Sequence, residues 1–223
     1  MSAVRLDIAD PCSVNAFIRA NTRPLAPPLV PEIILQLADE SVPIWQKTED
    51  ELGQINMPPP YWAFAWAGGQ ALARYILDNP EFVRGKRVLD LGSGSGLTAI
   101  AARLSGARDV LAADIDRLAL AAVGLNAAAN NVTVDVSSDD LLARPVVPAD
   151  LVLVGDLFYE RQLADRVLAY IEAAHLLGAA ILIGDPQRNY FPLERFSAVA
   201  HYSVPVTREL EDSEIKKTAV WRL

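Results

Sequence analysis

The chain has 223 residues, of which 52% are hydrophobic and 22% charged, and this composition is typical of one folded domain with a substantial core. Its formal net charge of −8 argues against a surface that binds nucleic acid through phosphate groups. The only cysteine, Cys12, excludes an internal disulfide and is consistent with a reducing compartment.

Membrane, targeting and metal signals are missing from the sequence. No run of about 18 or more apolar residues is present, so we predict no membrane span and no membrane partner. The first residues, MSAVRLDIADP, resemble neither a signal peptide nor a transit peptide, and the expected location is the cytoplasm. His175 and His201 have no cysteine or histidine at metal spacing nearby, so no metal is expected.

Proline usage divides the chain. Residues 1–60 contain nine of the 15 prolines and predict an irregular arm with short helices. Ser13 is placed to cap a helix that runs to about Ala20, and Pro31 to begin a second helix, PEIILQLADE. We predict that residues 1–57 form an N-terminal arm or lid and that residues 58–223 form the main domain.

From about Arg87 onward, short apolar strands alternate with helical segments. The five predicted strands are RVLDL, DVLAADI, VTVDV, ADLVLVGDLF and AAILIGD. Helices follow the first, second and fourth strands, and this alternation is typical of an open parallel α/β sheet that is covered on both faces. Beyond Asp185, FSAVAHYSVPV and KKTAVWRL predict two strands that close one edge of the sheet as an antiparallel hairpin.

A glycine-rich loop, GSGSG, connects the first of these strands to its helix, where a doubly wound sheet binds ligands. The glycines stand at positions 92, 94 and 96, whereas a dinucleotide fingerprint needs glycine at position 97, which is leucine. Asp90 precedes the loop, and its charge would repel a pyrophosphate but could attract a cationic amino acid group. The spacing therefore argues against a dinucleotide.

Acidic residues follow the second and third strands. Asp114 ends the second strand, 18 positions after Gly96, where a carboxylate can accept hydrogen bonds from both ribose hydroxyls. Asp116 is predicted to cap the next helix. In SSDDLL, Asp140 or alternatively Asp139 is placed to accept a hydrogen bond from an adenine amino group; a solvated helix cap is the other interpretation.

Together these motifs resemble the class I, seven-strand S-adenosylmethionine-dependent methyltransferases. VLDLGSGSG is similar to their first motif, and AADID to the segment with the ribose-binding acid. The resemblance covers residues from about 58 to 223 and implies a Rossmann-like sheet of order 3-2-1-4-5-7-6, whose last strand pair is antiparallel. It also implies S-adenosylmethionine as methyl donor and S-adenosylhomocysteine as product. The predicted cofactor-binding residues are Trp66, Asp90, Gly92, Ser93, Gly94, Gly96, Asp114, Ile115 and Asp140.

Asp156 and Tyr159 follow the fourth strand in GDLFYE, at the predicted ligand edge of the sheet. A lysine amine, with a reference pKa of ~10.4, must lose its proton before it can accept a methyl group. Asp156 can hold the incoming ammonium, and a desolvated wall at Tyr159 favours the neutral amine. We predict both as catalytic; the alternative is that Asp156 caps the next helix and Tyr159 packs on it.

The Asp-x-x-Tyr spacing resembles the protein-lysine methyltransferases that carry a [D/E]-x-x-[Y/F] motif. In order, PYWAFAWAGGQALARYILDNP, VRGKRVLDLGSGSG, GDLFYE and LIGDP resemble the lysine methyltransferases that act on the electron transfer flavoprotein β subunit. The resemblance implies that β subunit as protein substrate. It also implies cofactor contacts at Trp66, the glycine loop and Asp114, and substrate contacts at Asp156 and Tyr159.

The aromatic segment MPPPYWAFAWAGGQ, residues 57–70, lies just ahead of a predicted helix that leads into the first strand. PPPY is similar to the Asn-Pro-Pro-Tyr loop of DNA amino-methylating enzymes, but that loop follows an apolar strand and TEDELGQIN is polar. We interpret the segment as the hinge of a lid over the methyl donor. Trp66 packs on the cofactor or only in the core, and Tyr61 and Trp62 line a lysine channel or pack in the core.

Three other functions stay open at this point. A small-molecule N-methyltransferase of the nicotinamide type would have a deeper and more enclosed site. An NAD-binding oxidoreductase is opposed by Leu97 and Asp90. A protein that binds the cofactor without catalysis would need no acid at position 156.

Overall fold

The computed structural model describes residues 6–38, 59–207, 211 and 213–223. A small hairpin is formed by β1 (Arg23–Leu25) and β2 (Leu35–Leu37). A large sheet contains β3 (Arg87–Leu91), β4 (Asp109–Ala113), β5 (Asp135–Ser137), β6 (Leu151–Gly155), β7 (Ala180–Asp185), β8 (Ser197–Pro205) and β9 (Ile215–Arg222). The described α-helices are α1 (Pro11–Asn21), α2 (Ala67–Asp78), α3 (Leu97–Leu104), α4 (Arg117–Ala129) and α5 (Arg161–Leu176).

The seven strands of the large sheet have the order β5-β4-β3-β6-β7-β9-β8. The first five are parallel, whereas β9 is antiparallel to both β7 and β8. Numbered within this sheet, the order is 3-2-1-4-5-7-6, so the predicted fold is confirmed. Because β3 and β6 are neighbours and the chain winds outward from them in both directions, a crevice forms at their carboxyl ends.

Apolar side chains cover the sheet on both faces. On one face, residues of α2 and α3 pack with the hairpin residues Leu35 and Leu37 in one buried cluster. On the other face, α5 packs on the strands through residues such as Val167 and Ile171. A smaller cluster joins α1 to α4 and includes Trp62. The inner parallel strands β3, β6 and β7 are therefore buried on both sides, which explains their continuous apolar sequences, whereas the edge strand β5 is mostly exposed.

In the N-terminal region the first predicted helix is present, but its predicted cap and the second predicted helix are wrong. Helix α1 begins at Pro11 and is capped by Asp10, whose carboxylate accepts hydrogen bonds from the backbone N–H groups of Cys12 and Ser13. Ser13 therefore lies inside the helix. The segment that starts at Pro31 forms a turn and then β2, not a helix.

Tertiary contacts explain why the second segment is extended. Leu35 and Leu37 are buried and the side chain between them is not, which is the alternation of a strand. The backbone N–H of Gln36 donates to Asn126 Oδ1 of α4 at 2.7 Å. These partners lie far away in sequence and override local helix propensity. Strand β5 is also displaced: VTVDV predicts residues 132–136, and the strand is Asp135–Ser137.

Candidate active site

A cavity of about 380 Å³ opens at the carboxyl ends of the parallel strands. Every predicted site residue except Gly96 lines it. Gly96 instead begins α3 with a φ of +80°, and a Cβ there would lie 3.1 Å from a Cγ of Val123 in α4. Its role is to let two helices pack closely at the base of the site.

The glycine loop is held against the end of β4. Gly92 and Ser93 donate backbone N–H groups to the carbonyl oxygen of Ala113, at 2.8 and 3.1 Å. Gly92 and Gly94 have φ values of +65° and +51°, a left-handed conformation that glycine adopts without strain. The loop therefore folds into a tight turn whose backbone forms one wall of the cavity.

Asp114 links β4 to the glycine loop. One of its carboxylate oxygens accepts the Gly94 N–H at 2.9 Å, and the other accepts the Asp116 N–H at 3.0 Å. Burial raises the pKa of Asp114, while these N–H donors oppose the shift. Each oxygen keeps a further lone pair for a ligand hydroxyl. Ile115, which follows on the rim of the cavity, exposes 70% of its surface.

Asp116 and Asp90 support neighbouring helices. Asp116 caps α4 by accepting the Leu118 N–H at 2.8 Å, as predicted. Asp90 is buried and accepts the Thr98 hydroxyl at 2.6 Å and the Ala99 N–H at 3.1 Å, both from the start of α3. Burial raises the pKa of Asp90 to about 7. Asp90 therefore fixes α3 behind the glycine loop, and it also lines the cavity.

Asp139 and Asp140 lie on the cavity wall after β5. Asp139 pairs with Arg144 at 2.9 Å, and Asp140 pairs with Arg166 of α5 at 2.6 Å. The carboxylate of Asp140 makes no side-chain cap hydrogen bond to the short 3-10 turn that it precedes. The structure thus attaches Asp140 to α5 across the cavity wall.

The aromatic segment forms a further part of the cavity wall. The Tyr61 ring centroid lies 5.6 Å from that of Tyr159 and 6.0 Å from that of Trp66. The indole N–H of Trp66 donates to the Tyr61 carbonyl oxygen at 2.9 Å, which fixes the ring at the beginning of α2. Three aromatic side chains from two distant segments therefore meet at the cavity.

Trp62 differs from its aromatic neighbours. It is 1% exposed and packs in the cluster between α1 and α4, with Phe17 and Leu118. Its indole nitrogen, like the hydroxyl of Ser93, is buried and has no hydrogen-bond partner among the described residues. Both residues line the cavity. Of the two interpretations of Trp62, core packing describes its position, with one side on the cavity.

Asp156 stands just beyond β6 in the left-handed region, with a φ of +56°, a conformation that is uncommon outside glycine and functional sites. Its Oδ2 accepts the Gly69 N–H of α2 at 2.8 Å. It does not cap α5, because Glu160 does so by accepting the Gln162 N–H. Burial raises the pKa of Asp156, and Arg188 opposes this shift.

Tyr159 is 42% exposed at the cavity mouth. Partial burial raises its pKa to about 12, so its phenol is neutral at physiological pH. Its ring can shield an acceptor from water and its hydroxyl can donate or accept a hydrogen bond. Asp156 and Tyr159 thus line the same cavity, as their spacing predicts.

Three charged residues at the site were not predicted: Arg166 and Arg188, which line the cavity, and Glu211, which lies behind Arg188. Arg188, just beyond β7, donates to Asp156 Oδ1 from Nη2 at 2.8 Å and from Nε at 3.1 Å. It also donates to Glu211, which lies between β8 and β9 and is buried. Arg188 follows LIGDP at a strand end that faces the crevice, and this position in the sequence could have identified it as a residue of the site. Nothing in the sequence near Glu211 indicates the site.

The groups that line the cavity suit a nucleoside-containing cation. The cavity volume lies in the range of about 300–1,000 Å³ that is usual for small-molecule sites. Carboxylates, aromatic rings and an unpartnered hydroxyl at Ser93 line it. Across the described ranges, no group of three or more histidine, cysteine, aspartate or glutamate side chains is arranged to hold a metal. Within the same ranges, no helix is both long and apolar enough to cross a membrane.

Comparison with known proteins agrees with this geometry. The family model described as "Ribosomal protein L11 methyltransferase (PrmA)" matches residues 71–177. Two solved structures share the fold. A protein from Thermoplasma acidophilum has a TM-score of 0.54 and 20% sequence identity, over 69% of this chain and 88% of that chain. A protein from Pyrococcus horikoshii that is described as an RNA methyltransferase has a TM-score of 0.51 and 17% identity, over 69% of this chain and 79% of that chain.

Closer similarity is found among lysine methyltransferases. The chain is 40% identical over 213 residues to the "Electron transfer flavoprotein beta subunit lysine methyltransferase" of Xenopus laevis, covering 93% of this chain and 85% of that protein. For the Homo sapiens protein of the same description, identity is 39% over 215 residues, with coverages of 93% and 81%. The resemblance of the motifs is thereby confirmed. On these identities and coverages, the chain belongs to the family of electron transfer flavoprotein β subunit lysine methyltransferases.

Proposed function

We propose that this protein transfers methyl groups from S-adenosylmethionine to lysine side chains of the electron transfer flavoprotein β subunit. The observation that carries the proposal is the buried Asp156 carboxylate, which shares one cavity with the glycine loop, Asp114 and Tyr159. That combination provides a site for a nucleoside beside a carboxylate that can accept a hydrogen bond from a cationic amine. The similarity to lysine methyltransferases, which covers 93% of this chain and 81–85% of those relatives, supports a lysine amine as the methyl acceptor.

The cofactor residues have separate roles in this proposal. Asp114 accepts hydrogen bonds from the ribose hydroxyls, and Asp140 accepts a hydrogen bond from the adenine amino group. Ile115 packs on the adenine ring. Gly92, Ser93 and Gly94 hold the amino acid end through loop backbone and the Ser93 hydroxyl, while Asp90 and Gly96 keep the loop in place. When bound, S-adenosylmethionine supplies an electrophilic methyl group on a sulfonium.

The acceptor residues act by position and by exclusion of water. Asp156 accepts a hydrogen bond from the lysine amine and orients its lone pair. Tyr61 and Tyr159 form an aromatic wall that removes water from the amine, which favours its neutral form. Trp62 supports this wall from the core behind it. Positioning of this kind contributes much of the acceleration in displacement reactions.

Transfer of radiolabel tests the proposal. Purified protein is incubated with labelled S-adenosylmethionine and the isolated flavoprotein β subunit, and with an extract of cells that lack the gene. We expect label in the β subunit, on lysine residues identified by mass spectrometry. Label only in small metabolites would support the small-molecule alternative and contradict the proposal. Calorimetric titration against S-adenosylhomocysteine and NAD adds a second check, because binding of NAD alone would support an oxidoreductase.

Replacing Trp66 with alanine is expected to weaken binding of both S-adenosylhomocysteine and S-adenosylmethionine. For S-adenosylmethionine we expect a loss of roughly tenfold, because an aromatic ring attracts the sulfonium cation. The Trp66 ring already faces a cation, since the Arg188 guanidinium carbon lies 5.6 Å from its centroid. Trp66→Phe retains a ring and serves as the matched control, with a smaller loss. Isothermal titration calorimetry measures both dissociation constants. Equal affinity in the wild type and Trp66→Ala would assign this residue to core packing alone.

A further inference from the structure

Arg188 is the centre of a largely buried ion cluster at the end of the cavity. Its side chain is 17% exposed, and those of Asp156 and Glu211 are 9% and 2% exposed. The guanidinium donates two hydrogen bonds to Asp156 Oδ1, at 2.8 and 3.1 Å, and two to Glu211, at 2.6 and 3.0 Å. One arginine therefore bridges the loop after β6 and the segment between β8 and β9.

The hydrogen bonds on Asp156 leave one side of its carboxylate for a ligand. A carboxylate has about four acceptor positions, two on each oxygen. Arg188 fills both positions on Oδ1, and the Gly69 N–H fills one on Oδ2 at 2.8 Å. Among the described residues, the remaining position on Oδ2 has no donor, and Asp156 lines the cavity.

We propose that Arg188 is a positioning residue that clamps Asp156 through Oδ1, so that Oδ2 is presented to the acceptor amine. This inference rests on the proposed function, because it assumes a lysine acceptor at Asp156. The clamp has a geometric consequence, since two guanidinium N–H groups hold Oδ1 while the Gly69 N–H holds Oδ2, and contacts to both oxygens together fix the orientation of the carboxylate. Lysine at position 188 would supply the charge but not the rigid set of N–H groups that reaches Asp156 and Glu211 at once.

The charges around Asp156 indicate that Arg188 also keeps this carboxylate ionised, which is the electrostatic part of its role. Burial raises the pKa of Asp156, Arg188 lowers it, and Glu211 raises it. Burial opposes the charged form of Arg188 too, but Asp156 and Glu211 outweigh burial and raise its pKa. Among the described residues, the charged groups that face this centre are Arg188, Glu211, Asp185 at the end of β7, and Lys216 of β9, whose Nζ lies 3.6 Å from Glu211. Without Arg188, Asp156 is buried beside carboxyl groups and would take up a proton.

A titration of the aspartate carboxyl carbons by ¹³C nuclear magnetic resonance measures this effect directly. The Asp156 signal is assigned from its loss in Asp156→Asn. We expect Arg188→Met to raise the Asp156 midpoint by about one pH unit or more, because a neighbouring opposite charge within ~4–6 Å lowers a carboxyl pKa by ~1–3 units. Glu211→Gln is expected to lower the midpoint. An unchanged midpoint in Arg188→Met, or a raised one in Glu211→Gln, would overturn the electrostatic part.

Turnover of the flavoprotein β subunit tests the positioning itself. We expect Arg188→Met to reduce kcat at pH 7 by at least about tenfold, with a smaller change in KM for the protein substrate and partial recovery at higher pH. Arg188→Lys should restore the Asp156 midpoint further than it restores kcat. Full wild-type kcat in Arg188→Met or in Arg188→Lys would overturn the clamp.

A double variant separates positioning from simple neutralisation of Glu211. If Arg188 served only to compensate Glu211, the pair Arg188→Met and Glu211→Gln would regain wild-type kcat, and that result would overturn the proposal. We expect the double variant to stay at least about tenfold impaired. Circular dichroism checks folding, and Glu211→Gln carries the titration alone if Arg188→Met does not fold. A wild-type protein that is inactive on the β subunit would reject the proposed function, whereas the titration would still report on the electrostatic part of the role of Arg188.

Discussion

Replacing Asp156 with asparagine is expected to reduce methyl transfer to the β subunit by about 10²-fold or more. Asparagine keeps the shape of the side chain but removes the negative charge that faces Arg188 and the acceptor amine. Its amide NH₂ would also confront the Gly69 N–H or the Arg188 guanidinium, which are both donors. Orientation of the amine is lost, while the nucleoside end of the cavity is untouched.

The measurement combines label transfer with calorimetric binding of S-adenosylhomocysteine. We expect binding to remain within a few-fold of the wild type, which also shows that the variant is folded. Asp150→Asn is the matched control, because Asp150 precedes the same strand, β6, and pairs with Arg87 at the opposite end of the sheet. This control should retain wild-type turnover. Unreduced turnover in Asp156→Asn would contradict a catalytic role for this carboxylate.

Replacing Gly68 with alanine is expected to destabilise the protein and to disturb the position of Asp156. A Cβ at Gly68 would lie 2.1 Å from the carbonyl oxygen of Gly184 and 2.5 Å from Asp156 Oδ2. Because the first of these neighbours is the backbone of β7, it cannot move away cheaply. The overpacking cost of roughly 1–3 kcal/mol exceeds the helix-propensity gain of up to about 1 kcal/mol.

Thermal unfolding of two adjacent glycine variants measures this effect. For a chain of this size, each kcal/mol lost lowers Tm by about 2–4 °C. A Cβ at Gly69 would meet no atom within 4 Å, so Gly69→Ala is the matched control and should keep or raise the Tm. We expect turnover to fall in Gly68→Ala, since its methyl group would occupy space beside Oδ2. Equal Tm values for the two variants would show that the helix end shifts freely.

Local patterns were sufficient to predict most of the sheet and much of the cavity wall. Apolar runs such as RVLDL and AAILIGD are buried on both faces of a parallel sheet, so each run is visible without its neighbours. The glycine loop and Asp114 are also short-range signals, because a turn between strand and helix constrains residues that are adjacent in sequence. The division at residue 57 stays a prediction, since residues 39–58 lie outside the described ranges.

Predictions near the N-terminus were less accurate because competing local preferences were nearly balanced there. Asp10 and Ser13 are both good cap residues, and the contact between the Asp10 carboxylate and two N–H groups decides between them. For β2, the deciding partners are β1 and Asn126 of α4. Propensity alone does not contain such long-range contacts.

The sequence by itself determined the fold class, the strand order through its family motifs, and the edge of the sheet at which the site lies. These properties depend on hydrophobic periodicity and on turns, both of which are local. Only the tertiary structure decided what surrounds Asp156. The Gly69 N–H, Arg188 and Glu211 come from three other segments, and Gly68 and Gly184 meet only because α2 packs on β7. The acceptor site depends on these contacts, since a buried carboxylate takes its charge and orientation from the groups around it.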